Sequence, residues 1–207
     1  MNRIFIALLL LPLFVCGQDK NDMAIQLMEQ GKYEEALVLL DELVKAAPEA
    51  SVFRYNRAVV YSNLKQYKDA ISDYTVLVNQ IPDEAEYYFQ LGDLFEKSGD
   101  LVQAEKNYSQ ALSLEKDLYL YHFKRGTLWL KKNEWNKAIK DFSNAIQLNP
   151  NHSNSFHNRG IAYYKTGLKD KGCEDWCQAL LKGSTVSATH LEKNCEKYPA
   201  PCLLNRK

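Results

Sequence analysis

Four cysteines near the carboxyl end are the residues with the most obvious chemical potential. Cys173, Cys177, Cys195 and Cys202 all lie within the last 35 of the 207 residues. Cys173 and Cys177 are four residues apart, so they share a helix face, and a bond between them would strain regular helix geometry. In an exported chain four cysteines indicate two disulfides, and the preferred first pair joins Cys177 to Cys195.

Two other interpretations of these cysteines remain open. A zinc ion held by four thiolates would have to use C-x3-C and C-x6-C spacings, which are looser than the usual structural zinc pattern. The remaining interpretation is that of buried free cysteine, which packs as a small apolar side chain, and Cys173 is the main candidate for it.

The four histidines form no recognisable catalytic or metal-binding pattern. His122, His152, His157 and His190 lack the H-x-x-x-H spacing with a nearby carboxylate that metal sites use. The sequence also contains no glycine-rich phosphate loop and no nucleophile elbow. We therefore expect no catalytic residue, no metal and no other cofactor, and we expect that the protein is not an enzyme.

The overall charge does not favour nucleic acid or an anionic membrane surface as a partner. Lys and Arg together number 26, and Asp and Glu together also number 26, so the formal net charge is zero. Hydrophobic residues make up 46% and charged residues 25% of the chain, as in ordinary globular proteins. No nucleic-acid partner is therefore expected.

The amino terminus, residues 1–17, has the pattern of a secretory signal peptide. Arg3 supplies a positive end, an apolar run extends from Ile4 to Val15, and a polar segment starts at Gln18. The run is shorter than the roughly 20 residues that a membrane-spanning helix needs. Two products remain open, a lipoprotein anchored at Cys16 or a soluble chain cut before Gln18. Both place the mature protein in the periplasm or outer envelope of a bacterium.

The rest of the chain is organised by an internal repeat of 34 residues. Four interlocked series keep this spacing or twice it, which is hard to obtain by chance. Small residues would lie where two helices cross closely, large apolar residues would fill the gap between units, and prolines would end the second helix. The series are Ala36, Ala70, Ala104 and Ala138; Ala24, Ala58, Gly92, Gly126 and Gly160; Leu40, Tyr74, Tyr108, Phe142 and Trp176; and Pro48, Pro82 and Pro150.

This spacing resembles the tetratricopeptide repeat (TPR). The resemblance implies an all-α fold, a right-handed superhelical α-solenoid of about five helix pairs with a C-terminal capping helix. The array covers residues 18–183 in units 18–50, 51–84, 85–118, 119–152 and 153–183, and residues 184–207 form the capping helix and tail. The matching residues are Ala58, Tyr61, Tyr67, Ala70, Tyr74 and Pro82 in one unit, and Gly126, Trp129, Trp135, Ala138, Phe142, Ala145 and Pro150 in another.

The two ends of the array are predicted to differ from its middle. The first unit has a short first helix, from Met23 to Gln30. After the last unit, Ser184 to Glu196 has the pattern of an amphipathic helix that would cover the exposed face of the array. Val186, Leu191 and Cys195 are its predicted inward residues.

The resemblance also implies where a partner would bind. In TPR proteins the first helices of successive units line a concave groove, and aromatic rings with amides beside them suit an extended peptide. Asn56, Gln90 and Asn158 share one repeat position as a partial asparagine ladder. Lysines along the groove hint at an anionic ligand segment. The candidate peptide-binding residues are Tyr55, Asn56, Asn63, Phe89, Gln90, Asp93, Phe123, Lys124, Lys131, His157, Asn158 and Lys165.

Three arginines also repeat at one position but are interpreted as structural. Arg57, Arg125 and Arg159 are separated by one or two repeat lengths, and Leu91 holds the same position in the third unit. Because leucine replaces arginine there, we expect the arginine stems to pack half-buried between helices rather than to contact a ligand.

The leading hypothesis for function is a scaffold or adaptor of the cell envelope that binds a partner protein or peptide in its concave groove. Two alternatives remain. One is a thiol-redox or metal-binding accessory protein that uses the C-terminal cysteines, and the other is a structural subunit of an envelope complex. A membrane contact is expected only through a lipid anchor at Cys16. The fold does not name the partner, because TPR arrays serve many unrelated processes.

Overall fold

A computed structural model describes residues 19–195 and residue 202, and no strand occurs among these described residues. The predicted signal peptide, residues 1–17, lies outside them. Eleven helices joined by short turns lie between residues 19 and 195. They are α1 (19–29), α2 (Tyr33–Ala46), α3 (Ser51–Asn63), α4 (Tyr67–Gln80), α5 (Ala85–Ser98), α6 (Leu101–Leu114), α7 (Tyr119–Lys131), α8 (Trp135–Leu148), α9 (Ser153–Lys165), α10 (Lys169–Leu181) and α11 (Thr185–Asn194).

The chain divides into two compact units, which we call unit 1 (Met1–Asp100) and unit 2 (Leu101–Lys207). The described part of unit 1 contains α1 to α5, and that of unit 2 contains α6 to α11. The division falls within the third predicted repeat. Each predicted repeat consists of an odd-numbered first helix and an even-numbered second helix, and α11 follows the fifth pair.

The turn from a first helix to a second helix always contains a residue with positive φ. Gly31, Gly99 and Gly167 have φ values of 73°, 88° and 85° there, as their spacing in the sequence suggests. In the second and fourth repeats Lys65 and Asn133 adopt φ values of 59° and 58° instead. The turn geometry is therefore a property of the repeat, which non-glycine residues also adopt at some cost in conformational energy.

The small and large apolar series of the repeat meet each other in the structure. A Cβ atom added to Gly126 would lie 2.8 Å from the ring of Phe142, and one added to Gly160 would lie 2.7 Å from the ring of Trp176. Both rings are almost completely buried. The absence of a side chain at these glycines therefore creates the space that the following large residue fills.

Ion pairs between a half-buried arginine and a buried aspartate join the two helices of a repeat. The Nε and Nη2 groups of Arg57 donate to the two carboxylate oxygens of Asp73, at 2.8 and 2.7 Å. The arginines are therefore structural, as the sequence suggests, but they act through paired hydrogen bonds rather than through stem packing alone. The same two-bond contact joins Arg125 to Asp141 and Arg159 to Asp175.

Each of these arginines also contacts the second helix of the preceding repeat. The third guanidinium nitrogen, Nη1, donates to a side-chain oxygen that lies 16 residues earlier in the chain. One side chain thus ties together three helices and fixes how consecutive repeats stack. The acceptors are Asp41 for Arg57, Ser109 for Arg125 and Ser143 for Arg159.

The third repeat carries different residues at the positions of this pair. Leu91 stands in place of the arginine and is buried in unit 1. Asn107 stands in place of the aspartate, and in unit 2 its amide donates to the carbonyl oxygen of Gln103 within α6. The two residues change together, so neither leaves a buried charge without its partner.

The two ends of the array differ from the sequence prediction. The first helix is already helical at residue 19, so it is longer than the predicted Met23–Gln30. In α11 Leu191 is buried and Cys195 is half-buried, but Val186 is 61% exposed, so its predicted inward position is wrong. Val186 precedes Leu191 by five residues, about 140° around a helix, whereas the buried Ser187 precedes it by four.

Candidate interaction surface

The candidate groove residues of α3 contact other parts of unit 1. The ring of Tyr55 meets Tyr74 edge-on at 6.0 Å and lies 5.8 Å from Tyr87, so it packs between helices. Burial, then Glu86 and Glu84, raise the pKa of Tyr55. Asn56 is buried, and its Nδ2 donates to Oδ1 of Asn21 at 2.8 Å. This amide is already used within the fold and is a poor candidate for contacting a ligand.

The candidates of α5 are also engaged within unit 1. Phe89 is 6% exposed, so it contributes to the core rather than to an open aromatic wall. The amide of Gln90 donates to Glu86 one turn earlier at 2.6 Å, and Asp93 forms a 2.7 Å ion pair with Lys97. The polar side chains of α5 therefore interact within their own helix.

In unit 2 the aromatic candidates of α7 and α9 pack between helices. The ring of Phe123 meets the ring of His152 edge-on at 4.7 Å. The Nδ1 atom of His157 lies 2.8 Å from Oγ of Ser187, and its ring meets that of His190 at 5.0 Å. His157 is thus half-buried and partly covered by α11, which occupies the place of a further first helix.

One repeat position is exposed in all three repeats in which it holds a candidate groove residue. Asn63, Lys131 and Lys165, in the last turns of α3, α7 and α9, are all exposed, although Nδ2 of Asn63 donates to the carbonyl of Val59. In unit 2 Lys124 and Asn158 are half-buried two turns earlier on the same faces of α7 and α9. Among the described residues, the side chain of Asn158 has no hydrogen-bond partner.

The net charge of zero conceals a large difference between the two units. Residues 1–100 contain nine Lys and Arg against sixteen Asp and Glu, whereas residues 101–207 contain seventeen against ten. Unit 1 is therefore strongly acidic and unit 2 strongly basic. Counting charges by half rather than over the whole chain would have revealed this from the sequence. Of the groove lysines that suggest an acidic ligand segment, Lys124, Lys131 and Lys165 lie in unit 2, and Lys97 lies in unit 1.

The cysteines form two disulfides that tie the C-terminal segment to α10. Cys173 is bonded to Cys195 and Cys177 to Cys202, with Cα–Cα distances of 6.0 and 5.8 Å. The preferred pairing of Cys177 with Cys195 is therefore wrong. Because α11 returns antiparallel to α10 after a short turn, the end of α11 lies beside the earlier cysteine of α10.

The disulfides also bear on the other interpretations of these cysteines. All four sulfurs are bonded in pairs, so none is a thiolate that could hold zinc or a free buried thiol. Among the described residues, no cluster of three or more His, Cys, Asp or Glu side chains is arranged to bind a metal ion. Across residues 19–195 no helix has both the length and the apolar character required to cross a membrane.

Three family profiles match the chain. Two profiles described as the tetratricopeptide repeat match residues 27–92 and 85–118, and one described as the TPR repeat matches residues 128–167. Together these matches extend over most of the region predicted to be repetitive. None of the curated proteins matches the chain.

Several solved structures have the same fold. The crystal structure of MamA has a TM-score of 0.74 and 21% identity, covering 80% of this chain and 96% of that one. MamA from Desulfovibrio magneticus RS-1 has a TM-score of 0.75 and 14% identity, covering 87% and 97%. YrrB, described as a TPR protein with an unusual peptide-binding site, has a TM-score of 0.73 and 20% identity, covering 84% and 90%. The predicted all-α solenoid class is confirmed.

Proposed function

Because this chain belongs to the tetratricopeptide repeat family, we propose that it is a scaffold whose unit 2 binds an extended, acidic segment of a partner protein. Scaffolds of this kind present a preformed surface of stacked helices and generally need no catalytic group. The observation that carries the proposal is the exposure of Lys131 and Lys165 at one repeat position of α7 and α9, within a strongly basic unit.

The helix dipole alone does not account for these lysines. A cation in the last turn of a helix is stabilised by the dipole, which favours lysine at this position in every first helix. The first two repeats nevertheless have Glu29 and Asn63 at the same repeat position, and lysine appears there only from Lys97 of the third repeat onward. The change from acid to base along the repeat therefore supports a role for Lys131 and Lys165 in the choice of partner.

Asn158 supplies the second component of the proposed surface. It lies two turns before Lys165 on α9, about 10 Å along the helix axis. A carboxamide can donate to a peptide carbonyl and accept from a peptide N–H at the same time, as backbone recognition requires. Lysines would then select acidic side chains, while the amide holds the extended backbone irrespective of sequence.

The proposal can be tested by panning a displayed library of random extended peptides against the folded protein. We expect enrichment of peptides rich in Asp and Glu, whose affinity is then measured by isothermal titration calorimetry. Exposed ion pairs contribute about 0.2–1 kcal/mol each. Lys131→Glu with Lys165→Glu should therefore lower the affinity about two- to thirtyfold. Asn158→Ala should lower it by up to about tenfold through the lost hydrogen bonds.

A matched control is Lys106→Glu with Lys140→Glu, which changes the same charge on exposed positions of α6 and α8. It should alter affinity much less than the pair on α7 and α9. Equal losses for both pairs would show that net charge, not this surface, determines binding. If no peptide is enriched and the protein is isolated only as part of a stoichiometric complex, the alternative of a structural subunit replaces the proposal.

We also propose that the scaffold works outside the cytoplasm, in the bacterial envelope. The paired cysteines support this location, because disulfides persist mainly in oxidising compartments. Mass spectrometry of the mature amino terminus tests it and distinguishes the two products. A lipid-modified Cys16 indicates membrane anchoring, and a chain beginning at Gln18 indicates a soluble protein. A mature protein that retains residues 1–17 would contradict export through a cleaved signal peptide.

A further inference from the structure

At one repeat position the sign of the charge reverses between the two units. This position has Glu35 and Asp69 in unit 1, a neutral Gln103 in the third repeat, and Lys137 and Lys171 in unit 2. The two acids are one repeat apart, and the two lysines are also one repeat apart. All four charged residues lie in the first turn of a second helix, in α2, α4, α8 and α10 respectively.

The charged residues at this position are open to solvent. Glu35, Asp69, Lys137 and Lys171 are all exposed. Among the described residues, neither Glu35 nor Asp69 forms an ion pair, so their charges are available to a second molecule.

The lysines are unexpected at the beginning of a helix. The positive end of the helix dipole favours acids in a first turn, so Glu35 and Asp69 are stabilised there and Lys137 and Lys171 are not. Aromatic rings of unit 2 hold the two ammonium groups in place. Lys137 lies 4.4 Å from the centre of the Trp129 ring and 3.6 Å from Glu134, and Lys171 lies 5.7 Å from the centre of a ring on α9.

We infer that copies of this chain associate head to tail through this position. Lys137 and Lys171 in unit 2 of one copy would face Glu35 and Asp69 in unit 1 of the next. Because consecutive repeats hold each pair one repeat step apart, both lysines can meet both acids at once. The partner that contacts Lys137 and Lys171 is thus a second copy of the chain, whose own acidic unit supplies the complementary charge.

Such a contact is heterologous, since it joins two different surfaces. Each added copy leaves one acidic and one basic surface at the ends of the assembly, so growth proceeds to a ring or to an open chain. The contact is formed by exposed charges, and it therefore weakens with salt. The Debye length falls from about 10 Å at about 0.1 M salt to about 3 Å at about 1 M.

Sedimentation velocity of the mature protein over a concentration series tests the inference. We expect concentration-dependent association at low salt that is lost at high salt. Lys137→Glu with Lys171→Glu should be monomeric, and so should Glu35→Lys with Asp69→Lys. An equimolar mixture of these two variants should associate again, and a single chain with all four reversals should regain self-association. Circular dichroism spectra establish that each variant is folded.

The matched control is Lys116→Glu with Lys182→Glu, which makes the same change of charge in unit 2 just after the carboxyl ends of α6 and α10. It should still associate. A wild-type protein that stays monomeric at low salt and high concentration would overturn the inference, as would a mixture of reversed variants that does not recover. These residues differ from Lys131, Lys165 and Asn158, so loss of self-association leaves peptide binding intact, and the two proposals fail separately.

Discussion

The two units of this protein share one repeat pattern but differ in charge and in their disulfide bonds. Unit 1 is acidic, and its described residues contain no cysteine and no histidine. Unit 2 is basic and contains two disulfides, all four histidines and all three tryptophans. The repeat thus determines which positions are buried. The residues at exposed positions differ between the units, and only unit 2 has a disulfide-bonded C-terminal segment. We therefore expect the differences between the units to determine binding specificity and the shared contacts to determine stability.

The shared arginine–aspartate contact itself differs from repeat to repeat. Asp141 accepts from Arg125, from the indole of Trp129 at 3.0 Å and from His122 at 3.4 Å. Burial opposes its ionisation, but hydrogen bonds from Arg125 and His122 hold the pKa of Asp141 below its ordinary value. Burial raises the pKa of Asp175, and its contacts with Arg159 offset that increase only in part.

The largest loss of stability is therefore expected from Asp141→Asn. This change leaves the half-buried guanidinium of Arg125 without its counterion, which should cost up to about 3–5 kcal/mol of unfolding free energy. Asp175→Asn should cost less, because burial already disfavours the ionised form of Asp175. Urea unfolding followed by circular dichroism measures both losses, and tryptophan fluorescence reports unit 2 separately from unit 1. Equal losses for the two variants would contradict this account.

The chain also supplies a control for this prediction. Arg159→Leu with Asp175→Asn introduces the combination that the third repeat already has in Leu91 and Asn107. Because both charges are removed together, the double variant should be more stable than Arg159→Leu alone, which leaves Asp175 buried without its cation. A double variant whose loss equals the sum of its single losses would show that the two residues are not coupled.

The next largest loss of stability is expected on removing a disulfide, and both disulfides lie in unit 2. The bonded residues are separated by 22 and 25 positions, so removing either bond should cost about 3 kcal/mol through loss of the chain constraint. Cys173→Ala with Cys195→Ala should therefore destabilise about as much as Cys177→Ala with Cys202→Ala. The transition seen by tryptophan fluorescence should shift, while unit 1, which contains no tryptophan, keeps its own midpoint in the circular dichroism transition. A parallel shift in both units would mean that they unfold together.

The sequence predicts the packing positions of the repeat well, because these positions are constrained by volume. Gly126 and Phe142 illustrate this, since a small and a large residue at fixed spacing can be matched without coordinates. The helices also end where predicted, and α6 ends two residues before Lys116 just as α4 ends two residues before Pro82. Helix termination here depends on stacking as well as on proline.

Contacts between helices were less predictable, because periodicity gives the face of a residue but not its neighbour. In the second, fourth and fifth repeats the aspartate that accepts from the arginine lies 16 residues after it, and this recurring spacing is visible in the sequence. The disulfide partner of Cys177 and the exposure of Val186 depend on how α11 is rotated and on the length of the turn before it. The contact of α11 with His157 also depends on how α11 is rotated and on the length of the turn before it.

The smallest expected effect is the pH dependence of stability. It should differ between the units because unit 1 contains no histidine. Burial lowers the pKa of His157, and the neighbouring His190 lowers it further. Burial and then Lys193 lower the pKa of His190, whose ring lies 4.8 Å from that of Trp176. The structure around α11 therefore holds both imidazoles in the neutral form.

The sign of this pH dependence follows from the lowered pKa values. As the pH decreases below the ordinary histidine pKa of 6.5, the unfolded chain takes up protons more readily than folded His157 and His190 do. The free energy of unfolding of unit 2 therefore decreases as the pH decreases. Hydrogen exchange at α11 amides, compared with α3 amides after correction for intrinsic rates, should show protection lost in α11 only. His157→Gln with His190→Gln should remove most of this difference. His152→Gln should leave it, because His152 contacts Ser155 and not α11. A fall in protection that is equal in both helices would exclude the two histidines as its cause.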